Sequence, residues 1–245
     1  MKRVIVMAVF VLFASQGMIH AETLRIVTLD WEPYTGHTLS GGGFCSEIVT
    51  EVFKKAGYNV KIDYIPWDKA IEETTKGKYD AAFPEYYSKD RIKDFKYSNF
   101  FTNSLLCFYE RKGANIKYKT IKDLAPYKIG VVKGYVNTEE FDKATYLKKI
   151  ESDSDEENLR KLAKGELDLI VIDKLVARYL ITSKMPGDAS KLESVEPPLL
   201  IQPLFVIFPK KLAQSDKRIK DFNKALDDLN KTGGINAIMK KSGVK

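Results

Sequence analysis

Residues 79–101 read YDAAFPEYYSKDRIKDFKYSNFF. Tyr79 to Phe83 has strand character, and aromatics follow it directly. Ser88-Lys89-Asp90-Arg91 then forms a polar turn before a second aromatic run that ends at Phe101. Arg91 is thereby placed in a short loop among ring faces. A guanidinium in such a setting offers a planar fork that matches a carboxylate with two parallel hydrogen bonds.

Working outward, the stretch closes a repeating pattern. Leu24 to Leu29 alternates as a strand and meets the Pro-stopped loop Asp30-Trp31-Glu32-Pro33-Tyr34. Ser46 to Ala56 puts Ile48, Val49, Val52, Phe53 and Ala56 on one helical face, ended by Gly57. Val60 to Ile65 is a second strand, Trp67 to Lys76 a short helix, and Tyr79 to Phe83 a third strand. This order predicts a mostly parallel sheet with right-handed crossovers. After Leu105 to Glu110 the pattern restarts: a strand over Lys128 to Val132, a helix over Thr138 to Lys143, a Ser154…Glu157 capping box opening a helix, and a strand over Leu167 to Ile172 ending at Asp173. Pro197-Pro198 and Pro203 interrupt the chain, and one strand (Leu204 to Phe208) and one helix (Ile219 to Leu229) follow. One strand and one helix do not make a third domain, so the chain is expected to return to the first unit. The prediction is two lobes, each a mostly parallel sheet flanked by helices, joined by a two-strand hinge, with a ligand cleft between them. The divisions are 1–21 for an export signal, 22–109 and 203–245 for the first lobe, and 110–202 for the second.

Lys2 and Arg3, the apolar run Val4 to Ala14 and the small-residue end Ile19-His20-Ala21 read as a cleavable export signal too short to span a bilayer. The net charge of +7 falls to +5 without Lys2 and Arg3. The lysines are scattered, with no nucleic-acid motif. Cys45 and Cys107 permit one disulfide in an oxidising compartment, or two separate buried thiols; the sequence leaves both open. Catalytic groupings are sparse. After the export signal the chain holds one histidine, His37, and neither a zinc-type His pair nor a nucleophile elbow. Gly41-Gly42-Gly43 fits no phosphate-loop spacing and reads as a flexible loop. No cofactor or metal is expected. Asp153, Asp155, Glu156 and Glu157 are accounted for by the capping box and the helix dipole.

Six motifs in order carry a family resemblance: Trp31-Glu32-Pro33-Tyr34, Gly43-Phe44-Cys45-Ser46-Glu47-Ile48, Gly77-Lys78-Tyr79-Asp80-Ala81, Ser88-Lys89-Asp90-Arg91, Val131-Val132-Lys133-Gly134, and Gly165-Glu166-Leu167-Asp168 running to Asp173. Over essentially all of the exported chain this pattern resembles the periplasmic solute-binding proteins of the polar amino-acid ABC transporter type. The resemblance implies a periplasmic monomer that captures an amino acid or related carboxylate and delivers it to an ABC permease. It also implies that Trp31 covers the ligand, Arg91 holds an α-carboxylate and Asp173 receives an α-ammonium. Tyr86 stands where that family usually offers a hydroxyl. Phe83-Pro84 replaces small residues beside the ligand, and Val136-Asn137 replaces a hydroxyl-bearing pair after the glycine turn. Trp67, at the exit of the second strand, is expected to face the cleft, and Tyr34 to pack the lobe.

On the residues alone, Arg91 reads first as a surface cation beside Asp90 or Asp94, a pairing worth little. Asp173 reads equally as the N-cap of a helix over Lys174 to Ile181, a role compatible with ligand contact. Two other function classes stay open: an enzyme on the same scaffold, such as a cyclohexadienyl-type dehydratase with a cleft carboxylate as general acid, and a soluble partner of a membrane receptor.

Overall fold

The computed structural model describes residues 21–243. The export signal expected over 1–21 lies outside them, Ala21 excepted. The first α/β unit contains β1 (Thr23–Thr28), α1 (Phe44–Lys55), β2 (Asn59–Tyr64), α2 (Trp67–Thr75) and β3 (Ala81–Tyr86). β1 runs parallel to both β2 and β3. The alternation in β1 buries Leu24 and Ile26, and the helical stripe Ile48, Val49, Val52 and Phe53 closes over the sheet.

β4 (Phe95–Tyr97) and β5 (Thr102–Arg111) lead into the second unit. It holds β6 (Lys128–Val132), α3 (Glu139–Lys143), β7 (Lys148–Ser152), α4 (Asp155–Lys164), β8 (Leu169–Asp173) and α5 (Lys174–Ser183). β6 is parallel to β7 and β8, repeating the first unit's plan. β9 (Leu192–Pro209) then carries the chain back, followed by α6 (Ser215–Lys231) and α7 (Gly234–Lys241). Phe222 of α6 packs against Phe53 of α1 with ring centroids 4.9 Å apart, which seats the closing helices on the first unit.

The path through the sheet is β2-β1-β3-β9-β5-β8-β6-β7. β5 and β9 are antiparallel to each other and form its central pair, the two passages between the lobes. From Leu106 onward β5 already pairs with β8, a few residues before the 109/110 division expected from the sequence. The prolines do not end β9. Between Phe108↔Val195 and Leu106↔Leu200 the register shifts, and Pro197-Pro198 falls in that irregular stretch, where no regular ladder N–H is required of them.

The two cysteines are separate buried thiols.

Candidate ligand-binding cleft

Strand ends from both lobes converge between them, as the carboxyl ends of strands do in α/β sheets. β1 delivers Trp31, β3 ends at Tyr86, the turn after β6 delivers Tyr135, and β8 ends at Asp173. A chamber of about 30 Å³ is walled by Trp31, Trp67, Glu85 and Tyr86 on one side and Tyr135 and Val136 on the other. Wider spaces of about 690 and 760 Å³ flank it at the cleft's mouths.

The rings are locked in place. Trp31 stacks on Tyr34 with centroids 4.3 Å apart, and meets Tyr86 edge-on at 6.2 Å. A tight bridge between Trp31 and Thr35 holds the loop that presents the indole. Trp67 opens α2 directly behind Pro66, where a proline's fixed φ suits a helix start.

Asp173 is 2 % exposed and saturated by protein donors. One carboxylate oxygen accepts from the backbone N–H of Leu175 (2.7 Å) and Val176 (2.9 Å), capping α5. The other accepts from Tyr34 Oη (3.0 Å), Ser104 Oγ (2.6 Å) and Leu105 N (3.0 Å). Burial raises its carboxyl above the ordinary range, against the pull of these donors. Asp173 therefore sits beneath the aromatic floor as its anchor. Tyr34, expected to pack the lobe, links that floor to the second lobe through this bond.

Arg91 Nε lies 3.3 Å from Glu85 Oε2, an ion-pair distance, and Arg91 Nη2 donates to Gly134 O at 2.8 Å across the cleft. The irregularity in β3 explains why Glu85 points inward. Its register against β9 shifts between Ala82 and Glu85, across Pro84, which has no N–H to give. Glu85 Oε1 accepts from Tyr86 N at 3.0 Å. Burial raises the Glu85 carboxyl to about 7, while the Arg91 charge pulls the other way.

A second cleft carboxyl is Asp155, 6 % exposed. It accepts from Tyr135 Oη at 3.3 Å. Burial first, and repulsion from Asp173 second, raise it to about 7. The capping box was expected to explain the acids around Ser154, and Ser154 does accept from Glu157 N at 3.2 Å. Asp155 departs from that account because Tyr135, from another turn, covers it. Glu157 reaches back to Asp153 N at 2.9 Å.

Of the residues singled out from the sequence, the fold brings Trp31, Trp67, Tyr86 and Val136 together on the chamber. Arg91, Val136 and Asn137 border the 760 Å³ mouth. Asn137 is held there by Asp142, and its carbonyl accepts from Gln202 Nε2 at 2.5 Å. Phe83 does not border the chamber. It is fully buried in the core, and the register shift between Ala82 and Glu85 breaks the alternation that would have put the two on one face. Glu85, Asp155 and Tyr135 were not singled out as ligand residues. Only the interruption by Pro84 offered a local signal for Glu85.

The lobes stand closed upon each other. Besides Arg91 and Gly134, Lys133 meets Asp68 at 3.3 Å and Lys89 meets Glu139 at 2.8 Å. A Cβ on Gly134 would lie 3.0 Å from Asp68 Cα at a φ of +79°, so a side chain there would be strained and would press on the facing backbone.

A two-lobed α/β protein with a chamber between its lobes at the hinge is the class that this architecture defines. The chain belongs to the bacterial extracellular solute-binding proteins, family 3, whose model matches residues 24–244. It is similar to the L-cystine-binding protein TcyA of Bacillus subtilis (strain 168), at 28 % identity over 218 residues, covering 86 % of this chain and 77 % of that one. Among solved structures it is similar to a histidine kinase sensor domain resembling periplasmic binding proteins, with a TM-score of 0.80 at 18 % identity over 90 % of this chain and 96 % of that one. It is also similar to an ancestral arginine-binding protein bound to arginine, with a TM-score of 0.76 at 24 % identity over 89 % of this chain and 97 % of that one. These two likenesses speak to the fold.

Proposed function

We propose that this protein is a periplasmic receptor that captures a small polar solute between its lobes and delivers it to an ABC permease. The observation that carries the reading is the chamber walled from both lobes at the two-strand hinge, with Trp31, Trp67 and Tyr86 facing Tyr135 and Val136. A solute touching both walls makes its full contacts only in the closed form. That difference in contact shifts the open–closed equilibrium toward the form a permease recognises. Membership in family 3 and the cystine-binding relative support an amino acid or a related carboxylate as the solute class. The protein acts as a monomer and needs no cofactor. Trp31, Trp67, Tyr86 and Val136 form the contact surface, Arg91 and Asn137 border it, and Asp173 holds it up from below.

The test is a thermal-shift screen of the exported chain against amino acids, amines and small carboxylates. A saturable rise in melting temperature with one chemical class is expected. No response to any of them would contradict the reading.

One observation favours a second reading. Glu85 and Asp155 are buried carboxyls raised to about 7, a range suited to general acids. A dehydratase acting on cyclic precursor acids would use such a group. Product formation from a prephenate-type substrate, lost in Glu85→Gln or Asp155→Asn, would establish it. Ligand retained without turnover excludes it for that ligand.

A further inference from the structure

The rings around the central chamber are not held equally. Trp31 stacks on Tyr34 with centroids 4.3 Å apart, and Tyr34 Oη donates to Asp173 at 3.0 Å. Tyr86 Oη lies 2.5 Å from Ser104 Oγ. Tyr135 differs. Among the described residues it stacks on no other ring, and its hydroxyl has one partner, Asp155 Oδ2 at 3.3 Å. That distance lies beyond the roughly 2.5–3.0 Å usual for a hydroxyl donor. Its backbone, by contrast, is fixed. Tyr135 N donates to Val132 O at 3.1 Å, and Gly134 makes the turn before it with a φ of +79°. The freedom at this position is therefore in the side chain.

Tyr135 also stands at a junction. Among the described residues it alone borders the 30 Å³ chamber, the 690 Å³ mouth and the 760 Å³ mouth. The chamber by itself has room for about two waters, too little for a whole organic solute. A solute held by both lobes needs space that a side chain now fills. Turning the Tyr135 ring away joins the chamber to both mouths and supplies that space. Asp155, which the phenol would leave, itself borders the 690 Å³ mouth, so water there can replace the lost donor. Tyr135 follows β6 and Asp155 opens α4, both in the second α/β unit, so the movement needs no separation of the lobes.

We propose that Tyr135 is a movable partition of the cleft: its ring swings off Asp155 to make room for the solute, and its bulk sets the largest solute that the closed lobes accept. The inference rests on the solute-receptor reading and names a specificity-determining residue within it.

Acrylamide quenching of tryptophan fluorescence tests the partition without any solute. Trp31 and Trp67, 7 % and 5 % exposed, are the chain's two tryptophans and both border the chamber. Tyr135→Phe keeps the ring and removes its bond to Asp155. A ring so released turns within nanoseconds, the scale on which fluorescence is quenched, so the Stern–Volmer constant should rise about twofold or more. The radius of gyration from small-angle scattering should stay at the wild-type value, which separates a turning ring from opening lobes. Wild-type quenching in Tyr135→Phe, or a rise matched by an expanded radius, would overturn the partition. Thermal shift with glycine, L-alanine, L-glutamine, L-arginine and L-cystine tests the size limit. In Tyr135→Ala the shifts given by L-arginine and L-cystine should grow relative to those of glycine and L-alanine; Tyr135→Leu serves if Tyr135→Ala does not fold by circular dichroism. The same ranking of shifts in variant and wild type would overturn the size-setting role. A panel blank for both proteins also overturns it; the receptor reading falls only if the wider thermal-shift screen is blank too.

Discussion

Arg91 joins Glu85, 3.3 Å from its Nε, to the carbonyl of Gly134, 2.8 Å from its Nη2. One side chain thus ties a buried carboxylate of the first lobe to the backbone of the second. Arg91→Ala removes both partners at once. It should lower the free energy of unfolding by about 1–3 kcal/mol, the scale of stranding a buried polar group. Urea denaturation checks this, and a wild-type midpoint would show that the link contributes nothing in solution.

Closure depends on Gly134. Its φ is +79°, and a Cβ there would meet Asp68 Cα at 3.0 Å. Gly134→Ala should cost about 1–2 kcal/mol from the left-handed backbone alone. Its larger effect should be on the lobes. Small-angle scattering should show the radius of gyration of Gly134→Ala staying at its ligand-free value when a cleft ligand is added, whereas the wild type contracts. Equal contraction of both would place closure elsewhere.

The cleft carboxyls set a pH dependence. Folded Glu85 and Asp155 hold their protons up to about 7, against ordinary values of 4.5 and 3.8. Between those limits the folded state binds more protons than the unfolded state, so the contribution to stability is full below about pH 4 and is lost as pH rises toward about 7. The groups that face Glu85 are Arg91 and Tyr97, and those that face Asp155 are Asp173, Tyr135, Tyr86 and Trp31. Glu72 and Glu139, held at about 2 by lysine partners on the surface, act in the opposite sense and only below their ordinary range. The ligand-free melting temperature should therefore fall between pH 5 and pH 8, less steeply in Glu85→Gln. A rise over that interval would contradict the burial of these two groups.

The thiols give a chemical check on the packing. Burial pushes Cys107 up to about 11 and Cys45 well above its ordinary value, which suppresses the reactive thiolate. Native protein at pH 8 should resist alkylation, and denatured protein without reductant should yield two modified thiols per chain. A chain that yields none until reduced would hold a disulfide.

The plan of each lobe was legible because the apolar periodicities of β1, α1, β3 and β8 are local. So was the position of Trp31, Trp67 and Tyr86 at strand and helix ends. What escaped was set by distant partners. Asp155 fitted an N-terminal helix cap until Tyr135 buried it, and Tyr34 read as packing until Asp173 arrived from 139 residues away. β9 was split at Pro197-Pro198 because their tolerance depends on a bulge opposite β5, while Pro203 pairs in register with Asn103. α7 follows Gly233 and was hidden behind a glycine stop signal. The pairing of Glu85 with Arg91 was not legible, because it depends on a register shift across Pro84 that periodicity does not register.

The chain has two tryptophans, Trp31 and Trp67, and both border the central chamber. Both also line the adjoining 690 Å³ mouth, so intrinsic tryptophan fluorescence reports on the cleft. Titration with a ligand identified by thermal shift should give a saturable change in emission, with a dissociation constant equal to the calorimetric one. A ligand that binds by calorimetry and leaves the emission of both tryptophans unaltered would place the binding site outside the cleft and contradict the account.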